Sequence, residues 1–245
     1  MWISTAPPTS AARWPQRRVV LAAGLYGSGS TWAYNVVRRL LDDAPGAFAD
    51  QDVDLPDTAA EAPVLVVKSH LPDASMRAFV RQRGVPVVLT VRDPRDALAS
   101  MRQRFAVPHL DLRQALVVSA DRLCALVEAC APLVLRYEDG FTRTSGTVRR
   151  IADFLGVTVS APRVDAIHDG LLPSRVAADI ATLSAEGAFG EDPGPLAADP
   201  LTQWHAGHVG DGRVGKFPQV LSPAEAEALL ADTAGFCARF GYCQG

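Results

Sequence analysis

Residues 24–31 read Gly-Leu-Tyr-Gly-Ser-Gly-Ser-Thr and directly follow the apolar run Val19–Ala23. Their spacing matches the phosphate-binding loop G-x-x-x-x-G-K-S/T except at Ser30, which stands where that motif has lysine. Glycines allow a tight turn close to an anion, and backbone amides at the start of the following helix point toward it. The hydroxyls of Ser28, Ser30 and Thr31 add donors. This stretch therefore predicts an anion site that lacks the usual loop cation.

Charged side chains follow the next two apolar runs of the chain. Lys68 and His70 come after Val64–Val67, and Arg92 comes after Pro86–Val91. Ligands of open α/β sheets bind outside the carboxyl ends of the strands, so these residues should meet beside the glycine loop. Residues two apart in an extended segment point to the same side, which would bring Lys68 and His70 together. The sequence thus predicts a polyanion site with a histidine suited to proton transfer near neutral pH.

Asp93 is the residue on which a nucleoside triphosphatase interpretation depends. Triphosphate chemistry uses the loop lysine and a magnesium ligand, and Asp93 is the obvious candidate for that ligand. However, Asp93 directly precedes Pro94, and proline suits the first turn of a helix. Capping of that helix is therefore the favoured role of Asp93.

Short apolar runs alternate with helical patterns along the chain. This alternation predicts a three-layer α/β/α fold with a central parallel sheet, like that of P-loop NTPases. We expect residues 1–245 to form a single domain, with residues 1–17 as a flexible N-terminal arm. The predicted strands are Val19–Ala23, Val64–Val67, Pro86–Val91 and Leu133–Tyr137, and the predicted helices are Thr31–Leu41, Ala97–Arg104, Leu112–Cys130, Val148–Leu155 and Ser222–Arg239.

The composition argues against several classes of protein. The chain is 48% hydrophobic and 21% charged, as in ordinary globular proteins, and its net charge of −3 lacks the basic footprint of nucleic-acid binding. The N-terminal segment has no long apolar core, so we expect neither a signal peptide nor a membrane span. The four cysteines lack C-x-x-C spacing, and no pair of histidines has metal-ligand spacing. We therefore expect a cytoplasmic protein with reduced thiols, no metal and no membrane contact.

Five segments, in order, resemble the sulfotransferases that use 3′-phosphoadenosine 5′-phosphosulfate (PAPS). The first four of these segments correspond to the family patterns P-K-S-G-T-T-W, K-T-H-L-P, R-N/D-P-x-D-x-x-x-S and Y-E-D. The resemblance covers residues 19–156 and resumes near 204–230, and it implies PAPS as co-substrate without a metal. In this sequence the segments are YGSGSTW at 26–32, KSHLP at 68–72, VRDPRDALAS at 91–100, RYED at 136–139 and GRVGKF at 212–217.

The resemblance also implies roles for individual residues. His70 would be the general base, and Lys68 would neutralise charge on the transferring sulfuryl group. Trp32 would stack on adenine and Tyr137 would lie near the nucleotide, with core packing as the alternative for both aromatic residues. The residues implied to bind the cofactor are Gly27, Ser28, Gly29, Ser30 and Thr31 at the 5′ end, Arg92 and Ser100 at the 3′-phosphate, Trp32 and Tyr137 at the nucleoside, and Gly212 and Arg213 in the late segment.

The chain departs from the family at the loop lysine, which aligns with Gly27. Either another cation reaches the anion, for which the candidates are Lys68, Arg213 and Lys216, or the enzyme is weakened or inert. In the late segment the first glycine of the family pattern falls on Gly212, so Arg213 would make its contact from a shifted position.

The sequence therefore predicts transfer of a sulfuryl group from PAPS to a hydroxyl or amine of a small-molecule or carbohydrate acceptor. Two alternatives stay open, an atypical P-loop kinase or NTPase and a catalytically weakened nucleotide-binding protein of the same fold. The irregular stretches Asp42–Pro63 and Glu186–Pro200 are expected to shape the acceptor pocket.

Overall fold

A computed structural model describes residues 18–48, 63–105, 111–190 and 197–242. Four strands lie where the apolar runs predict them, with bounds shifted by up to two residues. The elements in chain order are β1 (Arg18–Gly24), α1 (Ser30–Leu40), β2 (Gly46–Phe48), β3 (Val64–Ser69), α2 (Ala74–Arg83), β4 (Val87–Val91), α3 (Pro94–Arg104), α4 (Leu112–Val127), β5 (Leu133–Arg136), α5 (Ser145–Leu155), α6 (Ala161–Asp169), α7 (Pro173–Ala185), α8 (Pro223–Asp232) and α9 (Ala234–Phe240).

The five strands form a parallel sheet in the order β2–β3–β1–β4–β5. Side chains of β1 alternate between two cores because successive residues of a strand face opposite sides of the sheet. Leu21 packs into the core built with α2, α3, α4, α8 and α9, whereas Val20 packs into the core built with α1, α5, α6 and α7. The predicted three-layer α/β/α fold is thereby confirmed.

Several elements were not predicted from the sequence. The helices α2, α6 and α7 bury only two or three residues each, so their apolar pattern is weak. The predicted C-terminal helix is two helices, with Thr233 between them and its hydroxyl donating to the carbonyl of Leu229 at 2.7 Å. At the start of α8, Ser222 and Glu225 form a capping box, as their spacing predicts.

Some predictions concern residues outside the described part of the chain. They include the N-terminal arm at residues 1–17, most of the acidic stretch Asp42–Pro63, part of Glu186–Pro200, and Cys243. Within the described ranges, no helix is long and apolar enough to cross a membrane.

Candidate active site

A cavity of about 760 Å³ lies beyond the carboxyl ends of β1, β3, β4 and β5. Its walls include the glycine loop after β1 and the side chains that come after the other strands, as parallel topology requires. All predicted site residues except Ser28 and Arg213 line it. Those that line it are Gly27, Gly29, Ser30, Thr31, Trp32, Lys68, His70, Arg92, Ser100, Tyr137 and Gly212.

The glycines of the loop are required by its backbone. Gly27 and Gly29 have φ angles of 73° and 82°, in the left-handed region that L side chains rarely adopt. A Cβ atom at Gly27 would lie 3.0 Å from the carbonyl oxygen of Ala97, and one at Gly29 would lie 3.1 Å from the Phe141 ring. A lysine at position 27 would therefore combine backbone strain with a steric contact, which explains physically why this loop has glycine there.

Ser28 secures the loop and does not line the cavity. Its hydroxyl donates to the carbonyl of Leu25 at 2.6 Å and lies 2.7 Å from the hydroxyl of Thr90 on β4, fully buried. The hydroxyls that remain for a ligand in this loop belong to Ser30 and Thr31, which line the cavity.

His70 is buried with its ring held in one orientation. Nδ1 lies 2.6 Å from the carbonyl oxygen of Gly24, and the ring stacks on Tyr26 with centroids 4.2 Å apart. Because a carbonyl can only accept, Nδ1 carries the proton and Nε2 carries the lone pair of the neutral ring. Burial, together with the charge of Lys68, lowers the pKa of His70 well below its ordinary value of 6.5. His70 is therefore a neutral histidine with a basic Nε2 at neutral pH.

Arg92 is a buried cation directly after the carboxyl end of β4, which lies on the other side of β1 from β3. Its Nη1 donates to the carbonyl of Gly27 at 3.0 Å and its Nη2 to that of Arg213 at 2.7 Å, while the guanidinium lies 4.1 Å from the centre of the Tyr137 ring. Among the described residues, the buried Nε of Arg92 and Nε1 of Trp32 have no hydrogen-bond partner. Buried donors without acceptors are costly, so these two beside a cavity fit a ligand with acceptor oxygens and an aromatic base.

Asp96 fastens the late segment 211–217 to α3, a role that motif matching left unassigned. Its carboxylate accepts from the amide of Phe217 at 2.9 Å and from the amide of Gly215 at 2.5 Å. Asp96 is 1% exposed, so both bonds are shielded from water. Gly212 of the same segment forms part of the cavity wall.

The two cations of the late segment do not line the cavity. The guanidinium of Arg213 pairs with Asp211 at 3.0 Å and donates to Gln219, and Lys216 donates to Asp211 and Gln103, both at 2.8 Å. These contacts brace the segment itself, and only the main-chain carbonyl of Arg213 is bonded toward Arg92. The basic side chains that do line the cavity are Lys68, Arg92, Arg104 and Arg143.

Asp93 caps α3, as the proline after it predicts. Its carboxylate accepts from the amide of Arg95 at 2.8 Å and pairs with the Arg95 guanidinium at 2.7 Å. Asp93 is absent from the cavity lining, so the feature that favoured an NTPase is a helix cap with an ion pair.

Motif matching also missed residues that tertiary packing brings to the cavity. Phe48 comes from the short strand β2, and its ring meets that of His70 edge-on with centroids 6.0 Å apart. Arg104 at the end of α3 and the histidines His205 and His208 line the same cavity. Only indirect signals in the sequence indicated that these residues belong to the site. Arg104 is the last arginine of the arginine-rich stretch 77–104, and the two histidines lie in the second region of resemblance, 204–230.

The sequence matches no family model and no curated protein. It is similar in structure to mouse sulfotransferase SULT7A1 complexed with PAP, with a TM-score of 0.65 and 17% identity over 93% of this chain and 86% of that one. Retinol dehydratase with retinol and PAP gives a TM-score of 0.64 at 17% identity, covering 92% and 83% of the two chains. Retinol dehydratase with androsterone and inactive cofactor PAP gives the same score and identity over 92% and 82%. This chain therefore has the fold of these PAP-bound sulfotransferase structures.

Proposed function

We propose that this protein is an enzyme that transfers a sulfuryl group from PAPS to a hydroxyl or amine of a small-molecule or carbohydrate acceptor. The observation that carries the proposal is the meeting of His70 and Lys68 with the loop 27–31 and Arg92 in one cavity. The shared fold adds support, since SULT7A1 and retinol dehydratase were solved with PAP, the desulfated form of PAPS.

His70 is the proposed general base. When bound, PAPS supplies the sulfuryl group and a phosphate leaving group. As the acceptor oxygen or nitrogen bonds to sulfur, Nε2 of His70 takes its proton, and the bond between sulfur and the leaving phosphate oxygen breaks. The Gly24 carbonyl holds Nδ1–H and so keeps Nε2 as the basic nitrogen throughout the step.

Lys68 and Arg92 are proposed to stabilise the negative charges of PAPS. Lys68 precedes His70 by two residues on the same strand end and would stabilise charge on the transferring group and on the leaving oxygen. Arg92 and Ser100 would hold the 3′-phosphate, for which the partnerless Nε of Arg92 is a ready donor. Trp32 and Tyr137 would flank the nucleoside.

A nucleotide-binding protein without turnover stays open as an alternative, because glycine replaces the family's loop lysine at position 27. Thermal unfolding with PAP, without magnesium, tests nucleotide binding because a ligand of the native state raises Tm. We expect PAP to raise Tm by several degrees and ATP with magnesium to have little effect. Radiolabelled PAPS and an acceptor panel then test turnover.

Variants at the 3′-phosphate site make this test specific. Arg92→Lys keeps the charge but loses the guanidinium fork, and Ser100→Ala loses a hydroxyl, so both should weaken PAP binding by about tenfold or more. Ser184→Ala, on the exposed surface of α7, serves as the matched control and should leave binding unchanged. Unchanged PAP affinity in Arg92→Lys and Ser100→Ala, or stronger stabilisation by ATP with magnesium, would contradict the proposal.

A further inference from the structure

Arg104 is a cation in the cavity that the proposed nucleotide contacts do not use. It lies one helical turn beyond Ser100 on α3, and its Nε donates to the carbonyl of Ser100 at 3.3 Å. Its Nη1 donates to the carbonyl of His208 at 3.4 Å. Both bonds are long and go to neutral acceptors, and among the described residues no carboxylate lies within 4.0 Å of the guanidinium.

Arg104 remains charged despite its burial. Burial and the charge of Arg92 lower the pKa of Arg104 to about 10, which still leaves it protonated at neutral pH. A half-buried cation that lines a cavity without a counter-ion is unfavourable, and an anionic ligand would relieve that cost. In the described part of the chain, the carboxylates that line the cavity are engaged elsewhere, Asp111 with the amide of Gln114 and Asp211 with Lys216.

Two histidines extend this polar patch. The rings of His205 and His208 lie 4.8 Å apart, and His205 packs on Phe105 with centroids 5.0 Å apart. Nδ1 of His208 is buried and, among the described residues, has no hydrogen-bond partner. Burial and the charges of Arg104 and Lys68 keep both histidines neutral, because they lower the pKa of each. Neutral imidazole rings are polar donors or acceptors that add no charge of their own.

The patch lines the same cavity as the proposed base. The positive charge of Arg104 contributes to the lowered pKa of His70, and the charge of Lys68 acts on both His205 and His208. Since Arg92, Ser100 and the glycine loop are assigned to the nucleotide, the patch is available to the acceptor.

We propose that Arg104, His205 and His208 form a subsite for a carboxylate on the acceptor, so that the preferred acceptors are hydroxy acids. The carboxylate would bind the Arg104 fork while the hydroxyl of the same molecule faces Nε2 of His70. The hydroxyl oxygen would bond to sulfur, its proton would pass to His70, and PAP would leave. This inference rests on the proposed function and makes Arg104 a determinant of specificity.

The test measures binding of acceptors to the PAP complex, which needs no turnover. A panel of aryl and alkyl hydroxy acids, including 3-(4-hydroxyphenyl)propionate, is compared with the corresponding methyl esters by calorimetry. We expect at least one acid to bind about tenfold more tightly than its ester, and Arg104→Gln to abolish that difference without changing PAP affinity. Arg104→Lys, with its charge but no fork, should keep part of the preference.

Arg102→Gln is the matched control, because Arg102 lies on the same helix but pairs on the surface with Glu225 at 2.9 Å. It should leave the preference for acids intact. Equal binding of acids and esters, no binding of any acid, or an equal loss of both in Arg104→Gln would overturn the subsite. Failure of PAP to bind the wild-type protein would instead overturn the proposed function, so the two failures are distinct.

Discussion

At the scale of single residues, His70 is the side chain whose environment best supports its proposed catalytic role. Its Nδ1–H is held by a main-chain carbonyl and its ring is stacked on Tyr26, so tautomer and orientation are both determined. Lys68 contributes twice, because its charge lowers the pKa of the histidine and also lies at the cavity in which the transferring group would bind. A neutral base and an adjacent cation suit transfer from an anionic donor to a neutral nucleophile.

His70→Gln should lower sulfuryl transfer by about 10²–10⁴-fold, because glutamine cannot take the proton. PAP affinity, measured by calorimetry, should stay within about twofold, since His70 is proposed to act on the acceptor and not to hold the nucleotide. His168→Gln on α6, outside the cavity lining, is the control and should retain activity. Full turnover in His70→Gln would remove this histidine from the mechanism.

The pH dependence of wild-type kcat/KM provides a second readout for His70. Its pKa is lowered well below 6.5, so the basic form persists as the pH falls through that value. We expect kcat/KM to show no decline from His70 between pH 8 and pH 6.5. A loss of activity with a midpoint near 6.5 would indicate a histidine exposed to solvent.

At the scale of elements, α3 organises both ends of the site. Its first turn carries Asp96, which binds two amides of the late segment, and its last residue is Arg104, in the proposed acceptor subsite. One helix therefore relates the proposed nucleotide contacts to the proposed acceptor contacts. The segment 211–217 is part of the cavity wall only because α3 holds it there.

Asp96→Asn should destabilise the protein by about 1–3 kcal/mol, because one amide oxygen cannot serve both buried N–H groups as the carboxylate does. PAP affinity should also fall, since the carbonyl of Arg213 that accepts from Arg92 belongs to the same segment. Denaturant unfolding and calorimetry measure the two effects. Asp153→Asn, the same change at an exposed position of α5, should alter neither. An Asp96→Asn protein as stable as wild type would show that the segment is held by other contacts.

At the scale of the whole molecule, three histidines are neutral because the fold buries His70 and half-buries His205 and His208. Burial is the largest cause of the lowered pKa of His70, His205 and His208. Their unfolded-state pKa is near 6.5, so below that pH the unfolded chain binds protons that the native protein does not. Stability should therefore fall as the pH is lowered, before most carboxylates titrate.

We expect the free energy of unfolding of the ligand-free protein to decrease between pH 7 and pH 5. His205, with a pKa lowered to about 4, alone accounts for about 2 kcal/mol at pH 5 by linkage. Urea unfolding at several pH values measures the slope, and His205→Gln should reduce it. A stability that is constant over this range, or that rises toward pH 5, would contradict neutral buried histidines.

The sequence alone determined four of the five strands and the position of the site. Buried parallel strands are continuous apolar runs, and the residues directly after each run must meet at one edge of the sheet. Lys68, His70 and Arg92 were therefore predictable beside the glycine loop. The cap role of Asp93 was also predictable, because capping depends on neighbours in the chain. The fold comparison confirms the architecture that these local patterns imply.

Tertiary structure alone decided which polar groups face the cavity. Ser28 carries suitable chemistry but is engaged by Thr90, 62 residues away in the chain, and no local pattern encodes that contact. Arg213 is held by Asp211 within its own segment, and only the packing of that segment against α3 keeps its side chain out of the cavity lining. Arg104, by contrast, lines the cavity, and no carboxylate among the described residues pairs with it. The physical reason is that hydrogen bonds and ion pairs depend on distance in space, whereas sequence patterns report burial and backbone preference along the chain.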